Sequence, residues 1–295
     1  MTEVVGQNNE QHGYSAEQVR DFEDQIRELR NGNARVKFDL GHLAGQLTVS
    51  RAQTFANQGL GRRLQSIERS VANIFALYPP GRRNFLSHDE CCDVGIQFQA
   101  FAMNVYALFD NVTWVCLLEA KQSLAPKSIG LFKKACRPFI PPNLVAYLDE
   151  PETTRWFHEY GTLYRDSTAH RIAPSLPSRT YTPDEGKRWQ ELQDESIRVM
   201  MPPDRIDRGT DRGIDFKAQF ERIDQIEREK AELGRNSLFM CLSLTGEDAT
   251  PPVYLHPQLL CDWGLAQETV RRFIVGMRET YGWRAPNIPP LEVQD

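Results

Sequence analysis

The stretch from Val94 to Leu118 reads VGIQFQAFAMNVYALFDNVTWVCLL, and it decides the fold class of this chain. Large apolar residues recur in it at alternating spacings of four and three, which is the period of an α-helix. These residues are Val94, Phe98, Phe101, Val105, Leu108, Val112 and Val115. Because Ile96 and Met103 fill other faces, we expect a helix that starts after Ser87, is buried nearly all round and forms the spine of an all-α bundle.

The same stretch is long and apolar enough to require a test for a membrane span. Asp110 is its only charged residue, but amides and a hydroxyl interrupt it throughout. These polar residues are Gln97, Gln99, Asn104, Asn111 and Thr113. Several such groups are expensive in hydrocarbon, so we interpret the stretch as the core helix of a soluble protein and expect no membrane partner.

Composition narrows the function classes only slightly. The 295 residues carry a formal net charge of −5, which gives no general attraction to polyanions, so a nucleic-acid contact requires a local basic patch. Arginine pairs such as Arg62-Arg63 and Arg271-Arg272 suit phosphate binding, but they equally suit a solvated helix face. Six cysteines without a C-x-x-C pair indicate reduced thiols, and the polar N-terminus has no apolar signal core. We therefore predict a cytoplasmic protein without a metal or another cofactor.

Further along the chain, capping residues, prolines and periodicity predict three segments. Residues 1–13 form a disordered tail, residues 14–200 a helical bundle, and residues 201–295 a C-terminal helical unit that carries a β-hairpin. In that hairpin, residues 238–244 pair with residues 253–256. The predicted helices span residues 15–32, 34–57, 62–78, 87–118, 128–136, 151–171, 182–199, 214–233 and 257–281.

One short segment has residue types suited to chemistry. Residues 164–171 read YRDSTAHR, at the end of an amphipathic helix and before a proline-containing exit. The imidazole of His170 titrates near neutral pH and can act as a general acid or base, while the guanidinium of Arg165 can hold a phosphate and stabilise its developing charge. Asp166 precedes His170 by four residues, so on a helix its carboxylate can orient the imidazole. These types suit metal-independent cleavage of RNA.

The Arg165-to-His170 spacing, with a polar residue directly after the arginine, resembles the Arg-x4-6-His signature of the HEPN superfamily. The resemblance extends over about residues 85–178. It implies a helical-bundle ribonuclease of the toxin, stress-response or phage-defence kind, assembled as a homodimer whose two motifs face each other. A protein antitoxin or regulator is a further implied partner. Within the segment, Tyr164 and Arg171 are assigned to substrate binding.

Other interpretations of the segment stay open. Arg35 with His42, and Arg82 or Arg83 with His88, satisfy the same bare spacing. On a regular helix, five residues correspond to roughly 140° of rotation and about 7.5 Å of rise, so the motif side chains share no face. An arginine at a helix C-terminus is also favourable simply through the helix dipole. The alternative function is a non-catalytic helical scaffold that binds RNA or a protein, and a third, a small-molecule enzyme, has no signature.

Overall fold

The computed structural model describes residues 13–201, 216–241 and 252–286, without the side chains of Ala169 and His170. The predicted tail, apart from Gly13, and the predicted charged linker after Met201 lie outside the described residues. The described chain is mainly α-helical with only small two-stranded sheets, as the sequence predicts. Its contacts define two units, which we call the large unit and the small unit.

The large unit contains residues 13–82, 88–176 and 238 onward. Its α-helices are α1 (Ala16–Gln46), α2 (Ser50–Thr54), α3 (Gly61–Leu77), α4 (His88–Glu119), α5 (Pro142–Leu148), α6 (Pro151–Trp156) and α7 (Thr162–His170). π-helical turns lie at Phe55–Leu60 and Phe157–Gly161, and 3₁₀ turns at Pro126–Ser128 and Lys134–Phe139. A predicted helix over residues 128–136 is therefore wrong, because only 3₁₀ turns form there.

The small unit contains residues 83–87 and 177–237 among those described. Its helices are α8 (Pro183–Met200) and α9 (Phe216–Ala231), and its strands β1 (Arg179–Thr180) and β2 (Arg235–Asn236) pair antiparallel. The large unit continues with strands β3 (Phe239–Met240) and β4 (Val253–Tyr254) and ends with helix α10 (Leu255–Tyr281). The two units thus differ from the sequence prediction, which has a single boundary near residue 200. The reason is that the C-terminal helix α10 packs on α1, α4 and α5.

Helix α1 begins where the sequence predicts. The hydroxyl of Ser15 accepts a hydrogen bond from the backbone N–H of Gln18, and the Gln18 side chain accepts one from the backbone N–H of Ser15 at 2.8 Å. Each bond satisfies a donor that the first helical turn leaves unpaired. The capping box therefore sets the start of the bundle.

The predicted end of this helix at Asn31-Gly32 is wrong, because α1 continues to Gln46. Tertiary contacts override the local signal. The amide of Asn33 is buried and donates to the carboxylate of Glu68 on α3, and a Cβ at Gly32 would lie 2.6 Å from Oε1 of Gln267 on α10. Because Gly32 has no side chain, α10 can pack closely against α1 at this position, and the glycine does not end the helix.

Helix α4 is the core helix that its periodicity predicts. Its heptad-like stripe is buried, with Val94, Phe101 and Val112 essentially inaccessible to solvent. By length and composition alone α4 would pass as a membrane span, but more than half of its most apolar window is buried in the protein, as in the core of a soluble protein. The prediction that α4 is buried nearly all round is wrong, however, because Ile96 is 59% exposed and Met103 is 39% exposed.

Of the predicted β-hairpin between residues 238–244 and 253–256, the structure describes a short antiparallel pair, and residues 242–251 lie outside the described residues. Phe239 faces Tyr254 and Met240 faces Val253. The backbone carbonyl of Leu238 also accepts a hydrogen bond from the N–H of Leu255, the first residue of α10. The pair therefore leads directly into α10, which ends at Gly282 in the left-handed conformation (φ +68°) that favours glycine.

In the small unit, α8 begins with a second capping box, formed by Thr182 and Glu185. Helix α9 packs against it, and Arg222 bridges the two helices through a hydrogen-bonded ion pair with Glu195. The guanidinium of Arg179 donates to three carbonyl groups at the end of α9 and so satisfies acceptors that the helix leaves unpaired. Charged and capping interactions therefore hold much of this unit together.

Candidate functional site

The motif helix α7 follows α6 through the π-helical turn at Phe157–Gly161. Pro151 occupies the first turn of α6, where its missing N–H costs nothing. A Cβ at Gly161 would lie 2.9 Å from the ring of Trp156, so the glycine allows the buried indole to pack against the turn. π-helical turns of this kind occur frequently at functional sites, and this one sets the direction in which α7 presents Arg165.

Arg165 lies on the side of α7 that contacts α4. Its guanidinium donates a hydrogen bond of 2.7 Å to Oδ1 of Asp166 and lies 5.2 Å from the centre of the Tyr106 ring. The hydrogen bond to Asp166 raises the pKa of Arg165, so the side chain is a permanent cation. With 42% of its side chain exposed, Arg165 remains accessible to a ligand.

A cavity of about 310 Å³ opens beside Arg165. Three separate parts of the large unit supply its walls: α4, the loop at residues 129–133, and the π-helical turn with α7. The lining residues include Tyr106, Asp110, Phe132, Lys133, Phe157 and Arg165. This volume is at the small end of the range for small-molecule sites, so the cavity suits one compact ligand group.

Aromatic rings form a stack along one wall of this cavity. The rings of Phe132 and Phe157 are parallel within 15° with centroids 3.8 Å apart. The ring of Tyr106 continues the arrangement on Phe157 at 6.2 Å and 24°. All three side chains are half-buried, so the stack keeps contact with solvent at the cavity.

The carboxylate of Asp110 lies in the same cavity. Burial raises the pKa of Asp110, while the positive charges of Arg165, Lys133 and Arg63 oppose that shift. Within the described part of the chain, the carboxylate accepts no hydrogen bond and forms no ion pair at contact distance. The carboxylate oxygens are not among the atoms that are buried without a partner, so they are open to donors from water or from a ligand in the cavity, which makes Asp110 a candidate for ligand binding.

The other residues assigned from the sequence have different environments. Tyr164 is 6% exposed and packs edge-on against Phe98, and burial raises the pKa of its hydroxyl, so we remove it from the proposed contacts. Asp166 pairs with Arg165. Arg171 is exposed at the end of α7, and the side chain of His170 lies outside the described part.

A larger groove of about 830 Å³ lies between α1, α3 and α4. Its basic residues include Lys37, but the ammonium of Lys37 is 3.0 Å from the carboxylate of Glu68, which also binds Asn33. The groove is lined by no aromatic side chain among the residues that form it. Its charges are thus partly satisfied, and the smaller cavity beside Arg165 is the better candidate site.

The sequence predicts Arg165 but gives no direct indication of most of the cavity. Phe132, Lys133 and Phe157 come from segments that no spacing rule connects to the motif. Asp110 does carry a signal, because it is the single charge in an otherwise uncharged helical stretch. A single charged residue in such a stretch either lies exposed to solvent or has a specific role in the protein.

Comparison of the chain with protein-family models, curated proteins and solved structures gives no match. The functional assignment therefore depends on the motif and on the geometry of the cavity.

Proposed function

We propose that this protein is a metal-independent endoribonuclease of the HEPN-like kind, whose site consists of Arg165 and His170 on α7. The observation that carries the proposal is the position of Arg165, a partly exposed cation at the wall of a cavity lined by stacked aromatic rings. Cations that bind phosphate and ring faces that stack on bases are the two features that single-stranded RNA requires of a binding surface.

In the proposed reaction, the ribose 2′-hydroxyl attacks the adjacent phosphorus and the 5′-oxygen leaves. His170 moves a proton, as base for the attacking hydroxyl or as acid for the leaving oxygen. Arg165 holds the non-bridging oxygens and stabilises the negative charge that builds on them. The products are a 2′,3′-cyclic phosphate and a free 5′-hydroxyl.

The role that we propose for Asp166 depends on its contact with Arg165. Its carboxylate accepts from Arg165 at 2.7 Å, and this bond fixes the direction of the guanidinium. An additional bond from Asp166 to the imidazole of His170, expected from their spacing of four residues, stays a prediction. Arg171, exposed at the helix end, is retained as a third phosphate contact.

One motif supplies one histidine, and the reaction benefits from both an acid and a base, so we propose a homodimer. An exposed stripe on α4 supports this part of the proposal. Ile96 and Met103 lie seven residues apart on one helix face, and Tyr106 and Asp110 continue that face into the cavity. A second copy that covers the stripe would therefore approach the site.

The cellular setting is proposed on the same basis. A cytoplasmic location fits six free cysteines. A role in stress response or phage defence, with a protein antitoxin or regulator as a partner, follows from the resemblance of the motif.

The alternative is a non-catalytic scaffold that binds RNA or a protein partner. The small unit has the observation that favours it, because large apolar side chains are exposed at the end of α8 and the start of α9. They are Ile197, Met200, Met201, Phe216 and Phe220. Exposed apolar clusters often mark protein-binding surfaces.

The two functions are separated by incubating RNA with the full chain and excess chelator. We expect cleavage that leaves cyclic phosphate ends, because the proposed chemistry uses only protein groups. Arg165→Ala should lower the rate about 10²- to 10³-fold, and His170→Ala about 10²- to 10⁴-fold. Gel analysis of end-labelled RNA, with mapping of the ends, measures both effects.

Arg35→Ala is the matched control, because Arg35 and His42 satisfy the same bare spacing and the Arg35 side chain is 70% exposed. This variant should cleave like the wild type. Ile96→Glu should lower the sedimenting mass and the cleavage rate together, since a charge on the stripe opposes dimerisation. Intact RNA with wild-type protein would exclude the nuclease, and equal cleavage rates in Arg165→Ala and Arg35→Ala would exclude the role assigned to Arg165.

A further inference from the structure

The cavity beside Arg165 contains more than a phosphate site needs. A phosphate requires cations, whereas this cavity also has a stack of three aromatic rings and a carboxylate without hydrogen-bond donors. We infer that it is a nucleobase pocket selective for guanine, with Asp110 as the residue that determines the base. The inference rests on the proposed function and deepens it, since it names the base that the ribonuclease recognises.

Stacking supplies affinity without selectivity. Phe132 and Phe157 are stacked in parallel and Tyr106 continues the stack, so together they form an aromatic, apolar part of the cavity wall. Every nucleobase has a π-face, and stacking on an aromatic side chain therefore tolerates any sequence. The rings explain why a base would enter the cavity but not which base.

Selectivity comes from Asp110, because a carboxylate only accepts hydrogen bonds. Guanine presents two adjacent donors on its Watson–Crick edge, the ring N1–H and the exocyclic amino group. Adenine presents an acceptor beside its amino group, and uracil presents one donor between two acceptors. Guanine therefore satisfies both carboxylate oxygens, whereas adenine and uracil place a lone pair against one of them.

The nearby cations leave Asp110 available for a base. The ammonium of Lys133 donates to the backbone carbonyl of Lys127, and Arg165 donates to Asp166. Both lie close enough to act on Asp110 electrostatically, yet neither forms an ion pair with it. They can thus hold the phosphate of the same nucleotide while Asp110 binds its base.

The arrangement also accounts for the energetic cost of Asp110. Burial disfavours its charged form, and the three surrounding cations reduce that penalty without supplying a hydrogen bond. A purely structural acid at this position would be expected to pair with Arg165 or Lys133, as Glu90 pairs with Arg82 at 2.8 Å elsewhere in the large unit. Asp110 instead has accepting capacity that faces the cavity.

The test is isothermal titration of the full chain, in chelator, with the 5′-monophosphates of guanosine, inosine, adenosine and uridine. We expect guanosine monophosphate to bind at least about tenfold more tightly than adenosine or uridine monophosphate, as one good bidentate base contact allows. Inosine monophosphate lacks the exocyclic amino group and should bind with intermediate affinity. Inorganic phosphate alone should bind more weakly than any nucleotide.

Variants separate the two parts of the pocket. Asp110→Asn should remove the preference for guanosine, while Phe157→Ala should weaken all four nucleotides by about tenfold. Asp93→Asn, an exposed position on the same helix, is the matched control and should keep the wild-type preference. Circular dichroism of each variant establishes that the fold is retained.

Failure of this inference is distinguishable from failure of the nuclease. RNA cleavage combined with equal affinity for all four nucleotides overturns the guanine pocket and leaves the nuclease standing. Guanosine-selective binding without any cleavage supports the pocket and leaves the binding scaffold as the function. A preference that survives in Asp110→Asn overturns the role of Asp110.

Discussion

Two regions of the large unit place titratable side chains among aromatic rings, and they differ in what surrounds those groups. On α10, His256 is fully buried and surrounded by the rings of Tyr14, Phe22, Phe75 and Tyr78. In the cavity beside Arg165, Asp110 is half-buried and its aromatic neighbours remain partly exposed. The first region is filled by the protein itself, whereas the second has room for a ligand.

The two regions also differ in their hydrogen bonds. Nε2 of His256 lies 2.7 Å from the carbonyl oxygen of Tyr78, to which the neutral imidazole donates. Asp262, six residues further along α10, accepts from the indole of Trp156 at 2.6 Å and from Gln258 at 2.7 Å. Asp110 has no such donors in the described chain. Among the described residues, Nδ1 of His256 and the hydroxyl of Tyr14 are also buried without a hydrogen-bond partner, so aromatic neighbours, a shifted pKa or an unpaired polar atom alone do not identify a site. The feature that the His256 cluster lacks is the open cavity beside Asp110.

The largest expected effect is on stability. His256→Ala should lower the free energy of unfolding by about 3 kcal/mol, because it leaves a cavity among the rings and a buried carbonyl without a donor. Asp110→Asn should change it by less than about 0.5 kcal/mol, since no contact is lost. Urea unfolding followed by circular dichroism measures both.

The exposed His88 gives the control for that comparison, and His88→Ala should unfold like the wild type. Equal losses in His256→Ala and Asp110→Asn would mean that the two regions do the same structural work. The distinction between a filled cluster and a ligand cavity would then be lost.

A smaller effect concerns pH. Burial lowers the pKa of His256 to about 4 and raises the pKa of Asp262 to about 7. Between pH 4 and about 6.5 the unfolded chain binds a proton at His256 that the folded chain lacks, so this group makes stability rise with pH. The folded chain holds a proton at Asp262 that the unfolded chain has released, so Asp262 makes stability fall with pH.

The two contributions oppose each other in the wild type. Asp262→Asn removes the contribution that makes stability fall with pH, and the asparagine keeps an oxygen that can accept the hydrogen bond from Trp156. Relative to the wild type, its free energy of unfolding should therefore rise by about 1 kcal/mol per pH unit between pH 4.5 and 6.5. Urea unfolding at three pH values measures this difference, and parallel curves for the two proteins would show that Asp262 is charged in the fold.

Local signals in the sequence predict several elements correctly. The capping box at Ser15 marks a helix start, and the alternating apolar spacing of α4 identifies the core helix. These local signals fail where contacts between residues distant in sequence determine the structure. Gly32 signals a helix end, but the buried Asn33 and the approach of α10 keep the helix intact.

The candidate site likewise contains residues that the sequence predicts and residues that it does not. Arg165 and Asp166 are predictable because the motif is local in sequence. Phe132 and Phe157 become neighbours only when a loop and a π-helical turn meet beside α4, and no periodicity encodes that meeting. Tyr164 illustrates the opposite error, because its place next to Arg165 in sequence suggests a ligand contact while the helix turns its ring into the core.

The most direct test of the central claim is an NMR titration of protein labelled in its phenylalanine and tyrosine rings with guanosine monophosphate. We expect the ring signals of Tyr106, Phe132 and Phe157 to shift on titration, and those of Phe22 and Phe75 around His256 to stay unchanged. Unchanged signals for the three cavity rings at saturating nucleotide, or equal shifts in both regions, would contradict that claim.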